Sequence, residues 1–367
     1  MASESALRVV IAGGGTGGHL FPGIAVAREL LARRSDSTVT FAGTATGIEA
    51  RVVPREGFAL DLLRSAGLKG KSIAARLRGA ALVPVSLGDA WRIVSRRRPH
   101  LVIGVGGYSS GPVVLAAALR GVPTMLLEQN AVPGLTNRLL SRVVKAAALT
   151  FADAAPFFGR KAIVTGNPVR PEFLEPARRE SGESNRADGA RVLIFGGSQG
   201  AHAINLAMVE AATELAVRGR HLRLTHQTGE RDVAIVRDGY ARVGMEVEVE
   251  PFLYDMERRI GEADVIVCRA GATTLAELAA AGKPAILIPL PTATDDHQRK
   301  NAEAVARAGA AVVLRQEEAT GPALAERILS LASNRDTRDR MAAASKSLAR
   351  PDAARQIVDR ALALAGR

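Results

Sequence analysis

The sequence predicts an α/β protein in which two doubly wound, parallel-sheet domains follow one another. Short apolar runs that end in glycine turns alternate with helical stretches, which is typical of a parallel sheet covered by helices. This pattern starts at residue 7 and starts again at residue 190. A chain of 367 residues is also too long for one ordinary core, which favours two domains.

The first strand and its turn organise the first domain. The apolar residues 7–12 lead into a turn with five glycines, and His19 follows that turn directly. A helix that begins there offers unpaired amides and the positive end of its dipole. The turn therefore favours an anionic group such as phosphate.

Gly13, Gly15 and Gly18 also fit the dinucleotide pattern G-x-G-x-x-G, which points to an NAD-dependent oxidoreductase. That function needs an acidic residue at the end of the second strand to hold the ribose. The second strand, 38–42, runs into residues 43–46, which contain no acid. The sequence therefore disfavours this alternative, and NAD binding in a soak would favour it.

The remaining elements of the first domain follow in order. We expect helices over 20–33, 47–55 and 112–119, and strands over 101–104 and 123–128. A polar stretch that is poor in apolar residues, 171–189, predicts an interdomain linker. This divides the chain into an N-terminal domain (1–170), the linker (171–189), a C-terminal domain (190–350) and a tail (351–367). The tail has an amphipathic helical period and can cross back to the first domain.

The second domain repeats the pattern of the first. Residues 264–274 resemble 101–110, and residues 282–289 resemble 121–128. Ligands of such folds bind outside the carboxyl ends of the parallel strands. We therefore expect the two domains to face each other across a cleft lined by these strand ends.

Positive charge is concentrated in the first half of the chain. The net charge is +12, and residues 1–170 carry 22 Lys and Arg against 9 Asp and Glu, whereas residues 171–367 carry 27 against 28. Within 64–98, nine basic residues stand against Asp89 alone. Apolar residues are interleaved with them, which favours an anionic membrane surface as the partner. The membrane-binding residues predicted here are Ile73, Arg76, Leu77, Arg78 and Trp91.

Two alternatives to membrane binding remain at this point. A pair of helices could pack these apolar residues inward and leave a solvated basic face. A non-catalytic membrane or nucleic-acid protein would also explain the basic half, but not two glycine-turn domains. Base-stacking aromatic residues and nucleic-acid-binding motifs are missing, so no nucleic-acid partner is predicted.

Cysteine usage and hydropathy indicate the compartment. The single cysteine, Cys268, excludes an intramolecular disulfide and fits a reducing cytosol. No apolar run reaches the roughly 18 residues that a membrane span needs, and no secretory signal precedes the first strand. We therefore expect a protein of the cytosol that meets a membrane only at its surface.

In the second domain, polar side chains follow the strand and glycine-type turn of the segment 264–274. Thr273 and Thr274 suit a diphosphate, and Glu277, placed on the first turn of helix 273–281, could grip a ribose diol. A threonine at a helix N-cap with a glutamate three residues on is equally an ordinary capping arrangement. Residues 292–298 likewise follow a strand, either as part of the site or as a plain polar loop.

In the first domain, His19 and Glu128 both come at the carboxyl ends of strands. Histidine can accept a proton near neutral pH, although a histidine beside a glycine turn is usually only solvated. No metal-ligand spacing is visible among Cys268 and the six histidines, so no metal is predicted.

Seven motifs occur in an order that resembles one enzyme family. They are Gly13–His19 with Phe21–Gly23, Gly106–Tyr108, Glu128–Asn130, Gly166–Arg170, Gly196–Gly200, Cys268–Gly271, and His297–Gln298 with Asn301. The family is that of the N-acetylglucosaminyltransferases that make lipid II from lipid I in bacterial peptidoglycan synthesis. The match spans about residues 7–345.

The resemblance implies the GT-B fold with two Rossmann-like domains and inversion at the anomeric carbon. It implies UDP-N-acetylglucosamine (UDP-GlcNAc) as donor and the C4 hydroxyl of the N-acetylmuramyl sugar of undecaprenyl-linked lipid I as acceptor. Neither a catalytic metal nor another cofactor is implied.

The resemblance also implies residue roles. Glu277 would hold the ribose, Gln298 the donor sugar, and the backbone of Leu253 the uracil. His19 would be the general base, with Glu128 assisting or orienting it and remaining the other candidate for the base. The full set implied to contact UDP-GlcNAc is Thr16, Gly17, Gly18, Asn130, Arg170, Ser198, Leu253, Ala272, Thr273, Thr274, Leu275, Ala276, Glu277 and Gln298.

Two features depart from the family pattern. The family often has histidine before Glu-Gln-Asn, whereas Leu127 stands here, so a second imidazole at that strand end is excluded. The linker 171–189 is longer and more polar than the family leads us to expect. Neither departure changes the residues implied to contact the donor.

Overall fold

The structure is a computed structural model that describes residues 6–65, 73–174, 189–197, 199–219 and 221–366, with the backbone alone for 73–81. The described residues divide into two compact units, those within 1–170 and 350–367 and those within 171–349. Each unit is built on its own parallel sheet.

The first unit contains a seven-stranded sheet and five helices that precede residue 141. The strands are β1 (Arg8–Gly13), β2 (Thr38–Gly43), β3 (Ala59–Leu62), β4 (Leu101–Gly106), β5 (Thr124–Glu128), β6 (Ala146–Leu149) and β7 (Ala162–Val164). The helices are α1 (Gly17–Arg33), α2 (Glu49–Arg55), α3 (Ile73–Arg97), α4 (Ser110–Leu119) and α5 (Leu135–Leu140). The strand order is β3-β2-β1-β4-β5-β6-β7, and all neighbours are parallel.

Strand β1 shows why this sheet is covered on both faces. Val9 and Ile11 belong to one buried cluster together with residues of α1, whereas Val10 and Ala12 belong to another that includes residues of α4. Successive side chains of a strand point to opposite faces, so a continuous apolar run requires helices on both sides.

Helix α3 is one continuous helix, so the alternative of a helix pair over 64–98 is wrong. Its last turns pack Ala90, Ile93 and Val94 into the core. Arg96 and Arg97 both bond the buried carboxylate of Asp61 on β3, at 2.6 and 2.8 Å, which fixes the end of the helix to the edge strand. Among the described helices, none is both long and apolar enough to cross a bilayer.

The second unit contains a six-stranded sheet. Its strands are β8 (Arg191–Phe195), β9 (Arg223–Gln227), β10 (Glu248–Glu250), β11 (Val265–Cys268), β12 (Ala285–Leu287) and β13 (Ala311–Val313). Its helices are α6 (His202–Arg218), α7 (Val233–Arg242), α8 (Met256–Glu262), α9 (Ala272–Ala281), α10 (His297–Arg307), α11 (Gly321–Ser333) and α12 (Arg335–Ser347). The strand order is β10-β9-β8-β11-β12-β13, again with all neighbours parallel.

The two sheets place their similar sequence segments at equivalent positions. Strand β4 lies between β1 and β5, and β11 lies between β8 and β12. These two strands carry the segments 101–110 and 264–274, whose resemblance predicted a repeated doubly wound fold. That prediction of fold class is confirmed.

The last helix, α13 (Ala353–Leu364), belongs to the first unit. Ile357, Val358 and Ala361 are buried in the same cluster as Leu20 and Ile24 of α1. Arg33 at the end of α1 also pairs with Asp359. The helix that carries His19 is therefore packed against the tail.

A buried polar chain underlies the carboxyl edge of the second sheet. Asn205 donates through Nδ2 to the Thr228 carbonyl at 2.9 Å and to Asp232 at 2.8 Å, which leaves its Oδ1 as an acceptor. His226 donates to that oxygen from Nε2 at 3.1 Å and accepts from the Tyr240 hydroxyl at Nδ1, at 3.0 Å. The neutral imidazole is satisfied by these two bonds, and burial lowers the pKa of His226 from 6.5 to about 3.

This burial predicts an acid-sensitive stability. Between pH 6.5 and about pH 3 the unfolded chain binds a proton at His226 that the folded chain does not. The free energy of unfolding therefore falls as the pH drops through this window, by up to about 1.4 kcal/mol per pH unit. His226→Gln should lower stability at neutral pH but flatten this slope in urea unfolding curves. The exposed His221→Gln should keep the wild-type slope, and equal slopes in all three proteins would contradict the assignment.

Candidate active site

Apart from Arg170, the predicted site residues of the first unit lie at the carboxyl ends of β1 and β5, the two strands on either side of β4. Helix α1 begins at Gly17, earlier than the expected residue 20, so His19 stands in its first turn. Thr16, the N-cap, and Gly18 are exposed, and His19 is half-buried. The edge of the sheet thus presents an imidazole beside a helix N-terminus.

Contacts on two sides position the His19 ring. The Thr16 hydroxyl lies 3.1 Å from Nδ1. On the other side the ring packs against Gly106, where an added Cβ would lie 2.7 Å from the ring Cδ2. Gly106 also has φ +98°, a conformation that a larger residue would adopt only with strain. The end of β4 therefore provides the space in which the imidazole lies.

Glu128 has a different environment from the one expected of a base. Its side chain is buried, and both carboxylate oxygens accept hydrogen bonds. Oε1 accepts from the Asn130 amide at 3.0 Å, and Oε2 accepts from Gly134 at 3.2 Å and from Asn137 Nδ2 at 2.8 Å. Burial raises the pKa of Glu128, and the hydrogen bonds oppose that rise. The carboxylate is placed to hold residues 129–137, which include Asn130 and the first turn of α5.

Glu49, which was absent from the predicted site, lies at the same edge. Its carboxylate accepts from the Gly15 amide at 2.7 Å and from the Thr44 amide and hydroxyl at 2.9 and 2.8 Å. Residues 43–46 contain no acid, as the sequence shows, but the Glu49 side chain reaches the end of the second strand from the helix that follows it. The side chain is 1% exposed and points into the glycine turn, so it is not placed to hold a ribose. The reason to disfavour a dinucleotide enzyme therefore persists.

The predicted donor residues of the second unit gather around the N-terminus of α9, after β11. Gly271 is the N-cap in extended conformation, without a side-chain cap, so the alternative of a threonine-glutamate capping arrangement is wrong. Thr273, Thr274 and Ala276 are half-buried, while Ala272 and Leu275 are buried. Because α9 begins at Ala272, Glu277 lies in the second turn rather than the first, with 9% of its surface exposed.

Arg269 joins the ends of β11 and β12. Its guanidinium donates to the Ile288 carbonyl at 3.0 Å and to Gln316 at 2.7 Å, and burial lowers its pKa. The loop after β12 is also held by Gln298, whose Oε1 accepts from the Leu290 amide at 3.0 Å. This bond leaves the Nε2 group of Gln298 as the end that a ligand oxygen can meet.

Other predicted residues fall around these centres. Leu253 is buried directly after β10, and Arg170 is exposed at the end of the first unit. Ser198 lies outside the described residues, as do residues 175–188 of the predicted linker and the side chains of Ile73, Arg76, Leu77 and Arg78. In the part of the chain that the structure describes, no three His, Cys, Asp or Glu side chains are grouped to hold a metal ion. Burial raises the pKa of Cys268, which keeps it a thiol rather than a nucleophile.

Comparison with known families assigns both units. Residues 9–149 match the glycosyltransferase family 28 N-terminal domain, and residues 191–357 match the glycosyltransferase family 28 C-terminal domain. The chain belongs to glycosyltransferase family 28. The resemblance inferred from the motifs is thereby confirmed, as is the GT-B class of the fold.

Individual family 28 relatives match over nearly the whole chain. The UDP-N-acetylglucosamine–N-acetylmuramyl-(pentapeptide) pyrophosphoryl-undecaprenol N-acetylglucosamine transferase of Anaeromyxobacter sp. (strain K) is 48% identical over 354 residues, 96% of this chain and 92% of that protein. The enzyme of the same name from Myxococcus xanthus is 46% identical with the same coverage. The crystal structure of Acinetobacter baumannii MurG aligns with a TM-score of 0.79 and 32% identity, covering 97% of this chain and 99% of that one.

Proposed function

We propose that this family 28 chain transfers N-acetylglucosamine from UDP-GlcNAc to the C4 hydroxyl of the N-acetylmuramyl sugar of lipid I, which gives lipid II. The observation that carries the proposal is the match to enzymes named for this reaction, at 44–48% identity over at least 96% of the chain. The proposed reaction inverts the anomeric carbon and uses no metal.

In the proposed mechanism the second unit binds the donor. The α9 amides from Ala272 to Thr274, with the two threonine hydroxyls, face the diphosphate and stabilise the negative charge that develops as UDP leaves. Glu277 accepts hydrogen bonds from the ribose diol, and the Leu253 backbone meets the uracil. Gln298 donates from Nε2 to a hydroxyl of the sugar, since its Oε1 is already bonded. The other donor contacts are assigned to Thr16, Gly17, Gly18, Asn130, Arg170, Ser198, Leu275 and Ala276.

His19 is the proposed general base. When Nδ1–H donates to the Thr16 hydroxyl, Nε2 is the ring nitrogen that carries a lone pair and can accept the proton of the acceptor hydroxyl. Glu128 supports the site by holding Asn130 rather than by taking the proton, because hydrogen bonds commit both of its carboxylate oxygens to residues 130–137.

Helix α3 and its surroundings are the proposed membrane-binding surface, together with Ile73, Arg76, Leu77 and Arg78. Trp91 is 45% exposed, and the Arg120 guanidinium lies 4.8 Å from its ring centroid. Leu119, the neighbour of Arg120 in the chain, and Arg92 and Arg96 of α3 are also exposed. An apolar ring among cations suits the interface of an anionic bilayer, where the proposed acceptor lies. The proposed location of the enzyme is the cytoplasmic face of the cell membrane.

The reaction and the base are tested together by UDP release from UDP-GlcNAc with a lipid I analogue. The wild-type chain should release UDP only when the analogue is present. His19→Asn keeps a hydrogen-bonding group but cannot take the proton, so kcat should fall by about 10²–10⁴ with the donor KM little changed. The exposed His221→Asn is the control. If His19→Asn keeps more than about a tenth of the activity, His19 positions the acceptor rather than deprotonating it.

The ribose assignment predicts a donor-binding defect. Glu277→Ala should raise the KM for UDP-GlcNAc about tenfold, because hydrogen bonds to a buried carboxylate contribute about 1–3 kcal/mol. The exposed Glu317→Ala in the same unit should leave the KM unchanged. Steady-state kinetics with melting curves for each variant decide the matter, and a KM within about twofold of wild type would refute the assignment.

The membrane assignment uses the only tryptophan of the chain as its own reporter. Trp91 fluorescence should shift to the blue on vesicles that contain phosphatidylglycerol and stay unchanged on neutral vesicles. Trp91→Ala should lower the affinity for the anionic vesicles, measured by co-sedimentation, about tenfold, since burying a large side chain contributes about 1.5–3 kcal/mol. Val217→Ala, an exposed apolar residue of the second unit, should sediment like wild type. Equal sedimentation of the two variants would exclude Trp91 from the surface.

A further inference from the structure

The Glu49 carboxylate occupies the position in the first glycine turn where an anionic ligand would be expected. It accepts three hydrogen bonds, and its donor at Gly15 lies two residues before α1 begins. Backbone amides at such a turn bind phosphate in many proteins. Here the chain itself supplies the anion.

The surrounding backbone is shaped around this carboxylate. A Cβ added at Gly14 would lie 2.5 Å from Glu49 Cδ, and one added at Gly47 would lie 2.1 Å from Oε2. Both distances are shorter than real Cβ contacts allow. The turn after β1 and the turn after β2 can therefore approach the carboxylate this closely only because glycine stands at positions 14 and 47. A buried charge of this kind is tolerated because its oxygens are bonded, and the Gly15 and Thr44 amides are satisfied by it in turn.

A short path leads from this carboxylate to the imidazole. Gly15, which Glu49 holds, precedes Thr16, whose hydroxyl contacts His19 Nδ1. The neighbouring Gly14 amide meets the Gly106 carbonyl at 3.4 Å, and Gly106 is the residue against which the imidazole packs. A shift of the turn would therefore move both contacts that position the ring.

We propose that Glu49 is a positioning residue of the transfer reaction, an internal anion that fixes the glycine turn 13–15 and through it the His19 imidazole. The proposal rests on the proposed function for the role of His19. Glu49 also satisfies the Gly15 amide, so this amide is not left for a phosphate, and the proposed site of the donor diphosphate is α9 of the second unit. Because the proposed donor contacts next to the turn are confined to Thr16, Gly17 and Gly18, we expect the loss of Glu49 to lower kcat more than it changes the donor KM.

Chemical rescue tests this role. Glu49→Ala removes four heavy atoms from the side chain, and an acetate ion has the same four, so acetate can fill the space. Acetamide has the same shape without the charge. Glu49→Ala should lower kcat at least about tenfold with the donor KM within about twofold, because misplacing a catalytic group by a small distance has effects of this order. Acetate should restore kcat at least about threefold and acetamide should not. Glu56→Ala, which removes a surface carboxylate paired with Arg28, should respond to neither compound.

Amide hydrogen exchange at Gly15, followed by NMR, gives a readout that does not depend on activity. Protection of this amide should be lost in Glu49→Ala and return with acetate. A wild-type chain that releases no UDP would overturn the proposed function, and the exchange data would still decide whether Glu49 holds the turn. Unchanged protection, or a loss of kcat that acetate does not reverse, would overturn the proposal. Should Glu49→Ala fail to fold, Glu49→Asp must keep more kcat than Glu49→Gln, because only Asp retains the charge, and equal losses would also overturn it.

Discussion

The unpaired backbone amides at the strand-to-helix turns are the constraint on which both units depend. A parallel sheet gathers these turns at one edge, and each turn exposes N–H groups that must find an acceptor. In the first unit the Glu49 carboxylate meets that need at Gly15. At α9 of the second unit, Gly271 caps the helix without a side chain, which suits a site that receives its acceptor from a ligand.

The two units are thus similar in topology and different in chemistry. In the first unit the His19 imidazole packs against Gly106 at the end of β4, and the buried carboxylates of Glu49 and Glu128 hold neighbouring backbone segments. The second presents helix amides, threonine hydroxyls and a largely buried glutamate. One unit is suited to handle a proton and the other to hold a diphosphate and its sugar. A repeated fold has in this way been adapted to the two substrates of one proposed transfer.

The fold was predictable from the sequence because its signals are local. The apolar run of β1 requires cover on both faces, and the repeated segments at β4 and β11 identify the second sheet. The site was predictable only in part. The acid at the end of β2 was missed because Glu49 lies on the next helix, and only the folded loop brings it back. The burial of Glu128 depends on Asn137, nine residues away, and no periodicity reports such a bond. Glu277 was expected in the first turn of its helix but is the sixth residue of α9, which puts it in the second turn.

The tail helix has a consequence for synthesis. Arg33 on α1 meets Asp359 on α13 across a sequence separation of 326 residues, and the second unit lies between them. As the chain leaves the ribosome, the second unit is complete while α1 still lacks its partner. Domains fold as units during synthesis, so the second unit can close its core first, although the first begins to emerge earlier. The helix that bears His19 reaches its final packing only after residues 353–364 have emerged, so the proposed base is assembled after the second unit has been synthesised.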